Sequence, residues 1–196
     1  MLQLSKSQFT NILLITIGIV FLFISFALDN YIIEKVSILA NPVFDYLLMW
    51  ATYAVSVVVV LLIMTSLFMW EEHKRDWIIP LWASFIITIA LTIALKFIVM
   101  RERPLGFEME ILWLKNYAFP SAHAAACFSA IPILDREFPS LKWFWIGFAF
   151  AVAFSRLYLQ VHFLSDIIAG AVIGYSIGLL IIYFKNRYGF LEAKKI

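Results

Sequence analysis

The chain has little of what a water-soluble enzyme is built from. Asp, Glu, Lys and Arg together make up 14% of its 196 residues, whereas hydrophobic types make up 64%. A soluble core of this length has no room for so much apolar surface, which excludes an ordinary soluble domain. A single cysteine, Cys127, excludes an internal disulfide. No ten-residue stretch alternates apolar with polar residues, so a membrane β-barrel is not expected either. A net charge of +2 is too small to imply a nucleic-acid partner. Lys6 precedes an apolar run too long for a signal-peptide core, with no small-residue cleavage site, so the first helix is expected to stay uncleaved.

What is present are long apolar runs. Residues 9–28, 46–70 and 77–95 are uncharged and long enough for a span of about 20 residues. Residues 117–134, 143–161 and 163–184 are interrupted only by His123, Arg156 and Asp166. The expected fold is all-α: one polytopic membrane domain over residues 1–196 with six transmembrane helices. Residues 29–45 carry apolar side chains at Ile32, Ile33, Val36 and Leu39 in helical spacing, which predicts a short interfacial helix.

Basic residues set the orientation. With both termini inside, the inner segments hold Lys6, Lys74, Arg75, Arg136, Lys142, Lys185, Arg187, Lys194 and Lys195, while Lys35, Arg101 and Lys115 are the free cations of the outer loops. That bias fits a chain in the cytoplasmic membrane whose polar site opens to the periplasm or exterior. His73, in the inner loop EEHKRD, reads as a solvated loop residue, and the outer loop at 106–116 could lie on the bilayer and gate access.

Charges inside membrane-length segments normally face a cavity and mark function. His162 and Asp166 are four residues apart, which stacks them on one face of a helix, and the carboxylate can then hold the imidazole. Arg156, six residues earlier, points about 240° away and reaches the same place only if the chain turns near residues 159–161. Alone, this stretch equally fits a buried ion cluster joining two helices. Lys96 and Arg103 share a helical face about 10 Å apart until Pro104 ends the helix, though snorkelling cations look the same. Arg101, off that face, is expected to meet headgroups or Glu102. Pro120 and Ser121 mark the start of an alanine-rich helix whose free amide groups form an anion site, with His123 in its first turn. A plain Ser cap beside an interfacial histidine is the bland version. Gly170, Gly174 and Gly178 give the last helix a smooth packing face.

Together these groups suit a phosphate, with Lys96, Arg103 and Arg156 offsetting its charge. They do not suit a metal, because one acid and two histidines are few ligands and the cations would repel a divalent ion. No cofactor is expected. The pattern Lys96-x6-Arg103-Pro104, Pro120-Ser121-Ala122-His123, Ser155-Arg156-x5-His162-x3-Asp166 resembles the signature of the type-2 phosphatidic acid phosphatase superfamily in order and spacing. One position departs from it, since that family usually has Gly where Ala122 stands.

The resemblance implies a membrane lipid phosphatase working without metal. In it His162 attacks phosphorus and Asp166 orients it, while Lys96, Arg103, Ser121, Ala122 and Arg156 line the phosphate cradle. His123 protonates the leaving oxygen and then activates water. Polyprenyl diphosphate, phosphatidylglycerophosphate, phosphatidic acid and lipid A phosphate all qualify as bilayer-borne substrates. The competing class is an anion or lipid-phosphate transporter that uses the same cations as a selective filter.

Overall fold

The structure is a computed structural model that describes residues 6–72, 74–104, 110–111, 114–115 and 117–189. The expectations for His73, for most of the 106–116 loop and for the last residues of the basic tail lie outside the described residues. The described residues are helical apart from the connecting turns and loops and one minimal antiparallel ladder, β1 (Glu110–Ile111) on β2 (Leu114–Lys115), which pairs Glu110 with Lys115 and Ile111 with Leu114.

The first apolar run forms α1 (Lys6–Ser37). No proline interrupts it, and the hydroxyls of Thr10, Thr16 and Ser25 donate to carbonyls three or four residues back. That satisfies inside the helix the polar groups lipid could not. The separate interfacial helix expected over residues 29–45 does not form. Its apolar spacing is real, but Ile32, Ile33 and Val36 simply continue α1 and pack inward on Leu157, Ile167 and Ala124.

The second run is broken. Asn41 caps α2 (Pro42–Ala51) by accepting from the amides of Val43 and Phe44, with Pro42 at the first helical position. After Thr52 the chain restarts as α3 (Ala54–Val58), passes through a π-helical turn at Val59–Met64, and ends as α4 (Thr65–Glu71). The two halves are bent by 49°. Then follow α5 (Ile78–Val99), α6 (Ala122–Glu137), α7 (Lys142–Tyr158) and α8 (Leu164–Tyr188).

Among the described residues three stretches are long and apolar enough to cross a membrane, within α1, at Arg75–Val99 and at Leu164–Tyr188, and the bent pair makes a fourth if it acts as one span. At 16 and 17 residues, α6 and α7 fall short of the roughly 20 residues a perpendicular span requires. The core lies where α6 meets α5, α7 and α8, around Leu81, Ile133, Leu134, Val152 and Ile177. Ten of the 16 residues of α6 are buried, most of them small.

Candidate active site

The floor of the site is the start of α6. Ser121 is its N-cap, with extended backbone dihedrals and a hydroxyl that accepts from the Ala124 amide at 3.5 Å. Its own amide donates to the Asp166 carbonyl at 2.9 Å, tying α6 to the first turn of α8. The glycine stripe sets how close the two helices come. A methyl group built on Gly170 would strike the Ser121 carbonyl, one on Gly174 the Ala125 carbonyl, and one on Gly178 the Ser129 carbonyl. The stripe is therefore packing that places Ser121, Ala122 and His123.

The second element is the turn from α7 to α8. Helix α7 stops at Tyr158, and Gln160 takes a left-handed φ of 54°, so the chain reverses where the Arg156 to His162 spacing requires. The Arg156 carbonyl accepts from the amides of Val161 and His162 and holds that turn. The expectation that His162 and Asp166 ride one helical face is corrected here. His162 precedes α8, while Asp166 sits in its first turn and accepts the Phe163 amide at 2.8 Å through Oδ2. The two groups still face each other, with His162 Nδ1 at 3.5 Å from Asp166 Oδ2.

The third element is the end of α5, which also differs from expectation. The helix does not run to Pro104; it closes at Val99, and Met100 adopts a left-handed φ of 50° as its C-terminal cap. Lys96 stays on the helix and donates to the Tyr117 and Ala118 carbonyls, whereas Arg103 is carried by the following loop and donates to the Val161 carbonyl at 3.0 Å. The Ala118 amide donates to the Arg101 carbonyl at 2.7 Å, clipping this loop to the one before α6. Arg156 reaches in from α7 and donates to the hydroxyls of Thr52 and Ser155.

All seven polar residues singled out from the sequence therefore gather at one end of the bundle. His162 is 3% exposed and Asp166 and Ser121 are fully buried. Burial pushes the His162 imidazole well below the ordinary histidine range, and Lys96, Arg103 and Arg156 push it the same way, with the Ala118 carbonyl opposing them. A neutral imidazole is the form that carries a free lone pair. His162 and the same three cations lie within electrostatic range of His123. His123 Nε2 is buried without a hydrogen-bond partner, and His162 Nδ1 faces Asp166 Oδ2 at 3.5 Å without closing a hydrogen bond to it, so the cluster holds unspent polar capacity. Among the described residues no three His, Cys, Asp or Glu groups come together as metal ligands.

Residues 77–190, which contain every one of these groups, match the PAP2 superfamily. The chain belongs to the PAP2 superfamily. It is similar to an undecaprenyl-diphosphatase of Sulfolobus acidocaldarius, with 32% identity over 62% of this chain and 62% of that protein. It is also similar to a lipid A 4'-phosphatase of Bacteroides thetaiotaomicron, with 31% identity over 53% of this chain and 55% of that one. The matches thus span somewhat more than half the length of these relatives. The fold is shared with the PAP2-type phosphatidylglycerolphosphate phosphatase of Bacillus subtilis, at a TM-score of 0.69 and 21% identity, covering 89% of this chain and 96% of that one. Aquifex aeolicus LpxE superposes with a TM-score of 0.66 at 24% identity, over 80% and 95% of the two chains. The chain is accordingly an integral membrane protein of PAP2 type.

Around this PAP2 site the structure adds residues the sequence reading passed over. Arg101 does not meet headgroups or Glu102; it turns inward and donates to Asp166 Oδ1 at 2.8 Å, to Ser165 Oγ at 2.6 Å and to Asp29 Oδ2 at 2.7 Å. Asp29, the first residue of the stretch expected to form a separate interfacial helix, is 2% exposed in α1. An ionisable residue within a membrane helix was the signal that could have found it. Thr52 became visible only through the break between α2 and α3.

Proposed function

We propose that this PAP2 protein hydrolyses a terminal phosphate or diphosphate from a membrane lipid, without metal, through a phosphohistidine. The observation that carries the reading is the convergence of Lys96, Arg103 and Arg156 on the buried pair of histidines beside the α6 N-terminus. A phosphoryl group needs its charge offset and its attacker aligned, and little else. Three cations, the Ser121 hydroxyl and the first amides of α6 supply the first requirement, with Ala122 giving backbone alone.

His162 supplies the second. Its Nδ1 faces Asp166, which leaves Nε2 to form the bond to phosphorus as the lipid oxygen departs. His123 gives that oxygen a proton and then takes one from the water that attacks the phosphohistidine, releasing phosphate and restoring His162. The names of the relatives favour a polyprenyl diphosphate or a lipid A phosphate among the candidate substrates, with phosphatidylglycerophosphate and phosphatidic acid as the other members of the class. In this reading residues 1–196 act as one domain with six spans, α6 and α7 included, in the cytoplasmic membrane. Both termini are inside and the site faces out, following the distribution of basic residues.

The test is phosphate release from a panel of those lipids by purified protein in chelator, with and without vanadate. Metal-free, vanadate-sensitive release is expected. Strict dependence on an added divalent ion contradicts the reading, and phosphate uptake into liposomes without hydrolysis would mark a transporter instead.

A further inference from the structure

We propose that Arg101, braced by Asp29 of α1, is a positioning residue that fixes Asp166 against His162. The carboxylate of Asp166 divides its work between two oxygens. Oδ2 accepts the Phe163 amide and faces His162 Nδ1, while Oδ1 accepts from Arg101 Nη1. With both oxygens engaged the carboxylate plane cannot turn, so the oxygen that faces the imidazole stays the same one.

Arg101 is itself held from three sides. Its other terminal nitrogen donates to Asp29 Oδ2, its guanidinium lies 4.0 Å from the Phe163 ring centre, and Phe26 stands 5.5 Å away. Asp29 is anchored in turn on the first turn of α8, where Oδ1 accepts the Ser165 amide at 2.9 Å and Oδ2 the Ser165 hydroxyl at 2.5 Å. A planar fork can span two carboxylates at once, which a lysine ammonium at the same place does poorly. Both terminal nitrogens are committed to carboxylates, so Arg101 acts on the reaction through Asp166 and not on the phosphate itself. The arrangement makes α1, whose large apolar side chains are mostly exposed, part of the apparatus that fixes the histidine tautomer. It rests on the proposed reaction only where turnover is concerned.

The experiment compares native protein with R101Q, R101K and D29N in detergent. The chain has three histidines, so nitrogen NMR of histidine-labelled protein can read the tautomer of His162 directly, with H162N supplying the assignment. Native protein is expected to hold the Nδ1-protonated tautomer. R101Q should lose that preference and lower kcat roughly 10–100-fold with KM for the lipid phosphate and inhibition by vanadate unchanged. D29N should show a smaller change of the same kind. If R101Q does not fold, R101K carries the test by the same criteria. A retained Nδ1–H signal with kcat within about twofold of native overturns the proposal, and so does a change confined to KM or to vanadate affinity. Native protein inactive on every lipid phosphate would sink the proposed function while leaving the tautomer measurement to decide this one.

Discussion

Helices α1 and α6 both lean on α8, yet they do so by different physics. Along the apolar window of α1 only 6% of residues are buried, and its large side chains, Phe21 and Phe23 among them, point outward. Its polar ties to α8 include the Asn11 side-chain oxygen, which accepts from Tyr175, and Asp29, which holds Ser165. Helix α6 is short, alanine-rich and buried over ten residues, and it meets α8 backbone to side-chain-free backbone along the glycine stripe. Lipid is as apolar as Leu, so burying α1's outer face would gain little, whereas close contact of small residues gains dispersion that lipid cannot replace. Where the chain brings Ser121 and His123 against the first turn of α8, it uses the second kind of contact.

That contrast can be broken or sharpened by substitution, most severely at the site. Replacing His162 by Ala should lower kcat at least about 10³-fold while α6 and α8 stay packed, seen as an unchanged melting temperature. Gln in place of Arg103 or Arg156 removes one charge-assisted contact and should weaken vanadate inhibition roughly 10–100-fold, equivalent to about 1.5–3 kcal/mol each. Next comes the interface. Gly174→Ala places a methyl against the Ala125 carbonyl and should cost about 1–3 kcal/mol in detergent unfolding, with activity lost alongside. Phe23→Ala, on a side chain that is 72% exposed, should shift stability by less than about 0.5 kcal/mol and leave kcat alone. A Gly174→Ala protein as stable as native would erase the distinction between the two helices.

A pH experiment adds a smaller effect. Burial and the facing cations Lys96, Arg103 and Arg156 all favour the neutral form of His162, so protonation is displaced to lower pH than for an ordinary histidine. A nucleophile with an ordinary histidine value near 6.5 would lose about tenfold in rate between pH 7.5 and 5.5. Here the expected loss of kcat/KM, which reports the free enzyme, is under about threefold over that interval, read with a soluble lipid phosphate in fixed detergent and salt.

Much of this was legible beforehand, for reasons that can be named. Long apolar runs and isolated charges are local signals, so the helices, the turn after Tyr158 and the gathering of Lys96, Arg103, Ser121, His123, Arg156, His162 and Asp166 could be anticipated. What could not be read was set by tertiary contact. The early stop of α5 at Met100 follows from a loop that carries Arg101 inward to two carboxylates distant in sequence. The amphipathic pattern at Ile32, Ile33 and Val36 is the same whether the face meets headgroups or protein, and only the position of Leu157 and Ile167 decides. The break after α2 leaves no proline or glycine to announce it, because it lies at Thr52, where Arg156 donates to the hydroxyl.

The central claim is that His162 becomes covalently phosphorylated during turnover. Acid-labile, base-stable radiolabel should be trapped on the native chain after rapid quenching of a reaction with phosphate-labelled lipid, and peptide mapping should place it on His162. Hydrolysis that proceeds with no trapped label, or label retained in H162N, would contradict the account.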